Sequence, residues 1–248
     1  MIIADDTIER AFSEHHRRYR SRPDWSIEYH TECWQDAVRA RESCSLADYK
    51  VVYGHLKNKW RAFRPVTPGQ WGAEKILAEL VLLNGSQFKT WSLSSLGEDD
   101  SDSLLEIFRK MGQMKLNKSG PSVVALSKVL HFWNPRLFVI VDDLIMWKWV
   151  FAHSWLKGPI DKIGAKFREP SRKRGTPDDR ACDLISYLAI LLWTADLVRQ
   201  NPSLTPAFAN YVRTRCSDIG SIPLEEYEAA AVEWFLLGVV DLRPPGID

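Results

Sequence analysis

The sequence predicts an all-α protein, and three observations predict it. Apolar residues recur at i, i+3, i+4 spacing in nearly every periodic segment. Acids, serine or proline suited to opening a helix stand in front of several of those segments. The one strand-like run, Leu137 to Val141 (LFVIV), has no second β-branched run to pair with. A strand left alone cannot satisfy its backbone in a sheet, so this run is expected to be an extended connector between two helices.

Taken in order, the basic stretch HHRRYRSR closes a first helix, and residues 26–43 (SIEYHTECWQDAVRARES) place Ile27, Cys33, Trp34, Ala37 and Val38 near one face of a second. Residues 73–83, 104–114, 122–133, 178–199 and 224–237 repeat the pattern, and a further helix is expected over 142–157, after the connector. Asp178-Asp179 opens one of these, and Pro223 with Glu225-Glu226 opens the last. Acids there face the positive end of the helix dipole, and proline in a first turn forfeits no hydrogen bond. The break Arg64-Pro65 to Pro68-Gly69 divides the chain into an N-terminal helical region, 1–66, and a helical core, 67–248. A second break, Glu169-Pro170 to Gly175-Thr176-Pro177, predicts a mobile loop.

Composition narrows the function classes. With 248 residues, 45% of them hydrophobic, the chain can bury a sizeable core. Cys33, Cys44, Cys182 and Cys216 lie far apart, with no C-x-x-C and no clustered histidines, so no zinc or iron–sulfur site and no cofactor is expected. They read as reduced thiols. The opening MIIADDTIERAF is acidic where a secretory signal is basic, and the apolar run Ile185 to Ala195 is too short to span a bilayer. The expectation is a cytoplasmic, monomeric protein without a membrane partner. A net charge of +1 decides nothing about nucleic acid, because clustering matters more than the total. Two basic clusters, His15 to Arg22 and Lys166 to Gly175, each with an aromatic close by in Tyr19 or Phe167, read either as solvated surface or as contacts to a phosphate backbone.

The stretch from Gly120 to Val150, GPSVVALSKVLHFWNPRLFVIVDDLIMWKWV, carries the chemistry. Before it, a turn over 116–122 connects two helices and offers backbone N–H groups at a helix N-terminus, with Lys115 and Lys118 alongside. Such a turn binds a phosphate, or is an ordinary connection in which Gly120 permits positive φ. Lys115, Lys118, Ser119, Gly120 and Ser122 are the candidate DNA-binding residues. At the far end, Asp142 and Asp143 open an aromatic helix bearing Trp147 and Trp149. Lys128 and His131, on the helix between, either point at the same cleft or are satisfied structural residues.

A hairpin turn, a helix, a short apolar extended segment and an aspartate opening the next helix resemble the helix-hairpin-helix DNA glycosylase superfamily. LNKSGPSVVA stands at the position of that family's hairpin, and IVDDLI, residues 140–145, at the position of its catalytic aspartate. Asp142 matches through the preceding Val141 and through Ile145 three residues on; Asp143 falls on the next position, with helix capping as its plain role. The chain departs from the family in three ways. Lys118 or Ser119 stands where the hairpin's first glycine belongs, the spacing from Gly120 to Asp142 is slightly longer, and the Schiff-base lysine is replaced near Ser122.

The resemblance implies an all-α, helix-hairpin-helix glycosylase-like fold, two helical lobes with a cleft between them, and a monofunctional DNA glycosylase without β-lyase chemistry. Breaking an N-glycosidic bond builds positive charge on the sugar, which a carboxylate at Asp142 stabilises while it orients or deprotonates the attacking water. Asp143 would cap or assist. A base flipped out of the duplex needs a stacking surface; Trp147 is the first candidate, with Trp149, Lys128 and His131 completing a base pocket. Most of the eleven tryptophans are expected to be core. An aromatic site without the hairpin lysine, in a diverged member, suits a large or modified base, such as a modified cytosine of phage DNA, as in defence-associated glycosylases. Two other classes stay open: a non-enzymatic helix-hairpin-helix DNA-binding protein, and a helical interaction module in which the acids only cap a helix.

Overall fold

The computed structural model describes residues 1–19, 27–60, 81–83, 86–112, 122–167, 182–216, 219 and 222–240. Among these residues the regular structure is entirely helical, as expected: α1 (Asp5–Tyr19), α2 (Ile27–Ser43), α3 (Leu46–Gly54), α4 (Ser101–Gly112), α5 (Val123–Trp133), α6 (Ser154–Lys166), α7 (Leu184–Gln200), α8 (Leu204–Arg213) and α9 (Glu228–Val239). Two π-helical segments, His55–Lys59 and Asp143–Val150, and short 3-10 turns join them. No strand occurs among the described residues.

Two of the helices are apolar on nearly every side. Residues 186–192 of α7 and 229–239 of α9 are buried without interruption, which marks both as central. Amphipathic helices cover them: α1 and α8 lie on α9, while α4 and α6 lie on α7. One apolar core runs from Ile8 of α1 to Val240 just past α9. The two ends of the described chain therefore share a core, and the expected division near residue 66 falls outside the described residues.

Several helix boundaries follow from local chemistry. Ser122 caps α5, its hydroxyl accepting from Ala125 N–H at 3.3 Å, and Asp183 caps α7 by accepting from Ser186 N–H at 2.7 Å. The start of α7 is later than the acids at 178–179 predicted; those residues lie outside the described set. The helix expected over 224–237 is split. Leu224–Glu226 is a 3-10 turn, Tyr227 departs from helical backbone with ψ 56°, and α9 begins at Glu228. The helix expected over 142–157 is also split, into the π-helix 143–150 and α6, which starts at Ser154 after a turn at 151–153.

Candidate functional site at the end of a buried connector

Residues 137–141 form a connector without regular structure, starting at the last residue of a turn, and all five are buried. Their backbone groups need partners that no neighbouring strand supplies, and side chains supply them. His131 Nδ1 donates to Phe138 O at 2.7 Å, Tyr187 Oη donates to Val139 O at 3.0 Å, and Glu233 accepts from Ile140 N–H. Ser127 Oγ accepts from Val141 N–H at 3.0 Å and lies 3.2 Å from Val141 O. Helices α5, α7 and α9 thus each contribute polar atoms to one short segment. Upstream, Asn134 Nδ2 donates to Phe88 O and Trp91 O at 2.8 and 3.1 Å, and Pro135 O accepts from Ala229 N–H at 3.1 Å in the first turn of α9.

Asp142 stands at the end of this connector, partly exposed, where the π-helix begins. Its Oδ1 accepts from Ile145 N–H at 2.6 Å, and its carbonyl accepts from Trp147 N–H at 2.9 Å. Asp142 therefore takes a capping role at this helix start. Asp143 opens the π-helix with its backbone; its side chain lies outside the described residues. π-Helical turns are uncommon and concentrate at functional positions. The second π-helical segment ends beside Trp60, whose carbonyl accepts from Lys128 Nζ at 3.0 Å. Lys128 and Asp142 both act electrostatically on Glu233.

The other expected site residues divide. His131 is fully buried on α5 and has both ring nitrogens engaged. Nδ1 donates to Phe138 O, which leaves Nε2 to accept from Trp34 Nε1 at 3.2 Å. Burial, opposed by the Phe138 hydrogen bond, pushes its pKa down to about 4, so it is a neutral structural imidazole. Trp147 is 2% exposed and belongs to the core; it presents no stacking face to solvent. Trp149 is partly exposed, with the Arg18 guanidinium 5.2 Å from its ring centroid. Lys115, Lys118, Ser119 and Gly120 lie outside the described residues. Ser122 is the α5 cap.

The basic cluster at 15–22 is not a uniform solvated face. His15 is buried with its ring 3.8 Å from that of Trp234, and its pKa is pushed down to about 3, first by burial and then by the charges of Arg18 and His16. Arg18 donates to Leu237 O at 3.0 Å, and Arg17 pairs with Glu14. His30, beside Trp60 and Trp234, is likewise held well below the ordinary histidine range by burial and then by His131 and His15. In the second cluster Lys166 pairs with Glu98.

Glu233 was not a sequence candidate, although a signal existed. It is the one charged residue in the run Ala229 to Val240, AAAVEWFLLGVV. A charge there on a buried helix calls for a partner or for neutralisation. Ser127 and His131 also carry a signal: they sit four residues apart, hence on one face of α5.

Comparison with known proteins adds no relative: no family model, curated protein or solved structure matches the chain. Among the described residues no group of acids, histidines and cysteines is placed to hold a metal ion, and no helix is long and apolar enough to cross a membrane.

Proposed function

We propose that the protein is a monofunctional DNA glycosylase of the helix-hairpin-helix kind, with Asp142 as its working acid in a cleft between two helical lobes. One observation carries the reading. Asp142 is a partly exposed carboxylate at the end of a buried connector that three helices hold by side-chain hydrogen bonds, at the point where a π-helix begins. A carboxylate fixed in this way can face a developing sugar cation without reorganising, which is where electrostatic catalysis gains most. Its anchoring to Ile145 N–H sets the carboxylate's direction, and a carboxylate so directed can orient the attacking water. The hydrolysis needs no metal: water adds to the anomeric carbon, the base leaves, and the proton lost by water is taken up by the carboxylate or solvent. A large or modified base is the substrate class this reading favours, with Trp149 as the stacking ring nearest solvent on the aspartate's helix.

Asp142→Asn tests the reading cleanly, because asparagine caps a helix as well as aspartate does. Folding and thermal stability are expected to hold, while release of base from DNA carrying modified bases, followed as alkali-labile abasic sites, falls by about 100-fold or more. The Ile145 hydrogen bond also favours a second reading, a non-enzymatic DNA-binding protein in which Asp142 only caps. On that reading no DNA loses a base, Asp142→Asn changes nothing, and binding weakens steeply with salt and on removal of Lys115 and Lys118.

A further inference from the structure

Arg18, in the last turn of α1, reaches across to the π-helix that follows Asp142. Its guanidinium carbon lies 5.2 Å from the centre of the Trp149 ring, its Nη1 donates to Leu237 O at 3.0 Å near the end of α9, and its Nη2 lies 3.7 Å from Glu14 Oε1 one turn back. The main-chain contact of Ala11 with Gly238 leaves α1 no room to slide on α9, so the backbone of Arg18 is held at a set place beside the ring. Leu237 O, at the negative end of α9, accounts for a cation at residue 18. It does not account for a flat cation over an aromatic ring, because a lysine would serve that carbonyl as well. Trp149 and Arg18 are both partly exposed and Lys148 is exposed, so ring and cations meet at the surface rather than in the core.

We propose that Trp149 and Arg18 grip one unpaired nucleotide, the base stacking on the Trp149 ring and the guanidinium taking the phosphate of the same nucleotide, so that single-stranded or locally opened DNA is the preferred substrate. The proposal rests on the glycosylase reading for its ligand, DNA. A ring beside a guanidinium suits unpaired nucleic acid, because every base has a π-face and every nucleotide a phosphate. A base inside a duplex keeps both faces stacked on its neighbours and has none to offer. Before DNA binds, the guanidinium lies over the ring, and a base that stacks there displaces it. The exchange is favourable, since stacking of a base on an aromatic ring outweighs a cation–π contact at a partly exposed site. The displaced guanidinium stays within reach of the ring, because α1 is fixed, and turns to the phosphate, which it can meet with two parallel hydrogen bonds. Lys148, the neighbour of Trp149, adds positive charge at the same edge.

The test follows, by fluorescence anisotropy across a range of salt, binding of the full-length protein to a short dye-labelled single strand of DNA and to the same sequence as a duplex. Wild type is expected to bind the single strand about tenfold more tightly than the duplex. Trp149→Leu should weaken single-strand binding about tenfold at every salt concentration and leave the salt slope unchanged. Arg18→Ala should lower that slope by about 0.7, the share of one phosphate on a single strand. It then binds more weakly than wild type in low salt and, with the ring uncovered, no more weakly in high salt. Arg18→Lys, which keeps the charge and the bond to Leu237 O, should keep the wild-type slope. A residue that only ties α1 to the π-helix would lower the thermal midpoint and leave the slope alone. Equal binding of single strand and duplex, or an Arg18→Ala slope equal to that of wild type, overturns the proposal, and base release that depends on Asp142 would then leave the glycosylase reading standing. Single-strand binding that responds as expected, with no base released from any DNA, removes the glycosylase reading and supports the grip. No binding to either DNA overturns both.

Discussion

Between Leu137 and Val141 the backbone is buried without a sheet, and Ser127, His131, Tyr187 and Glu233 reach in from α5, α7 and α9 to bond it. Where α1 crosses α9 the opposite holds. Gly238 has no side chain, and a Cβ added there would fall inside the Ala11 backbone, so the two helices touch main chain to main chain. Both regions are buried, but they fail in different ways. The connector is vulnerable to losing a polar partner, because a stranded backbone group costs its desolvation. The crossing is vulnerable to gaining volume, because a close-packed contact cannot yield locally. The polar solution also leaves charges and protons near the chain segment it holds, and that is the region in which Asp142 lies.

Acid should break both regions at once, with the largest effect. His131 serves the connector, and His15 and His30 sit beside Trp234 near the crossing. All three have folded pKa values below the ordinary histidine value of 6.5, at about 4 for His131 and about 3 for His15. Between pH 6.5 and those values the unfolded chain binds protons that the folded one refuses, so stability is present above pH 6.5 and is lost as pH falls. His131 alone accounts for a loss on the order of 3 kcal/mol by pH 4, measured as a falling urea midpoint. Glu233 acts in reverse: its contribution is full below pH 4.5 and declines as pH rises toward its raised folded value. Glu233→Gln should remove that decline without altering the acid side.

Substitutions then separate the two regions. Gly238→Ala should destabilise by about 3 kcal/mol or more through overpacking of α1 on α9, with the unfolding midpoint shifted at every pH. Ser127→Ala should cost about 2 kcal/mol, since Val141 loses the partner of its N–H. Its hydrogen-exchange signature should be local, with faster exchange in residues 138–142 than in α1. If both substitutions loosen the same amides, the distinction between the regions fails. The smallest effect is expected at Arg39, 57% exposed and paired with Asp36 at 2.5 Å. Arg39→Ala should change stability by less than about 0.5 kcal/mol, and less still in high salt.

Much of the helical pattern was legible because it is local. Residues 26–43 and 122–133 show their apolar faces at helical spacing, and the structure places α2 at Ile27–Ser43 and α5 at Val123–Trp133. The connector was legible by elimination, as a β-branched run without a partner. The split of the last helix was not: Tyr227 turns the backbone so that Pro135 O can meet the first amides of α9, a contact between residues more than ninety apart. Nor was the fate of the aromatic candidates. Trp147 and Trp149 read alike in sequence, yet one is core and the other lies partly exposed under Arg18, because a π-helix turns its side chains by a different angle from an α-helix.

By itself the sequence determined the helical class and marked Asp142 as an acid at the junction of two segments, because periodicity and capping chemistry act over a few residues. Only the tertiary structure decided which polar side chains serve the connector, which ring of each aromatic pair meets solvent, and that Glu233 comes to within 3.8 Å of His131. Those outcomes depend on where α5, α7 and α9 come to lie around residues 137–142. They also depend on the rule that a buried backbone group takes its hydrogen bond from whatever helix lies within reach.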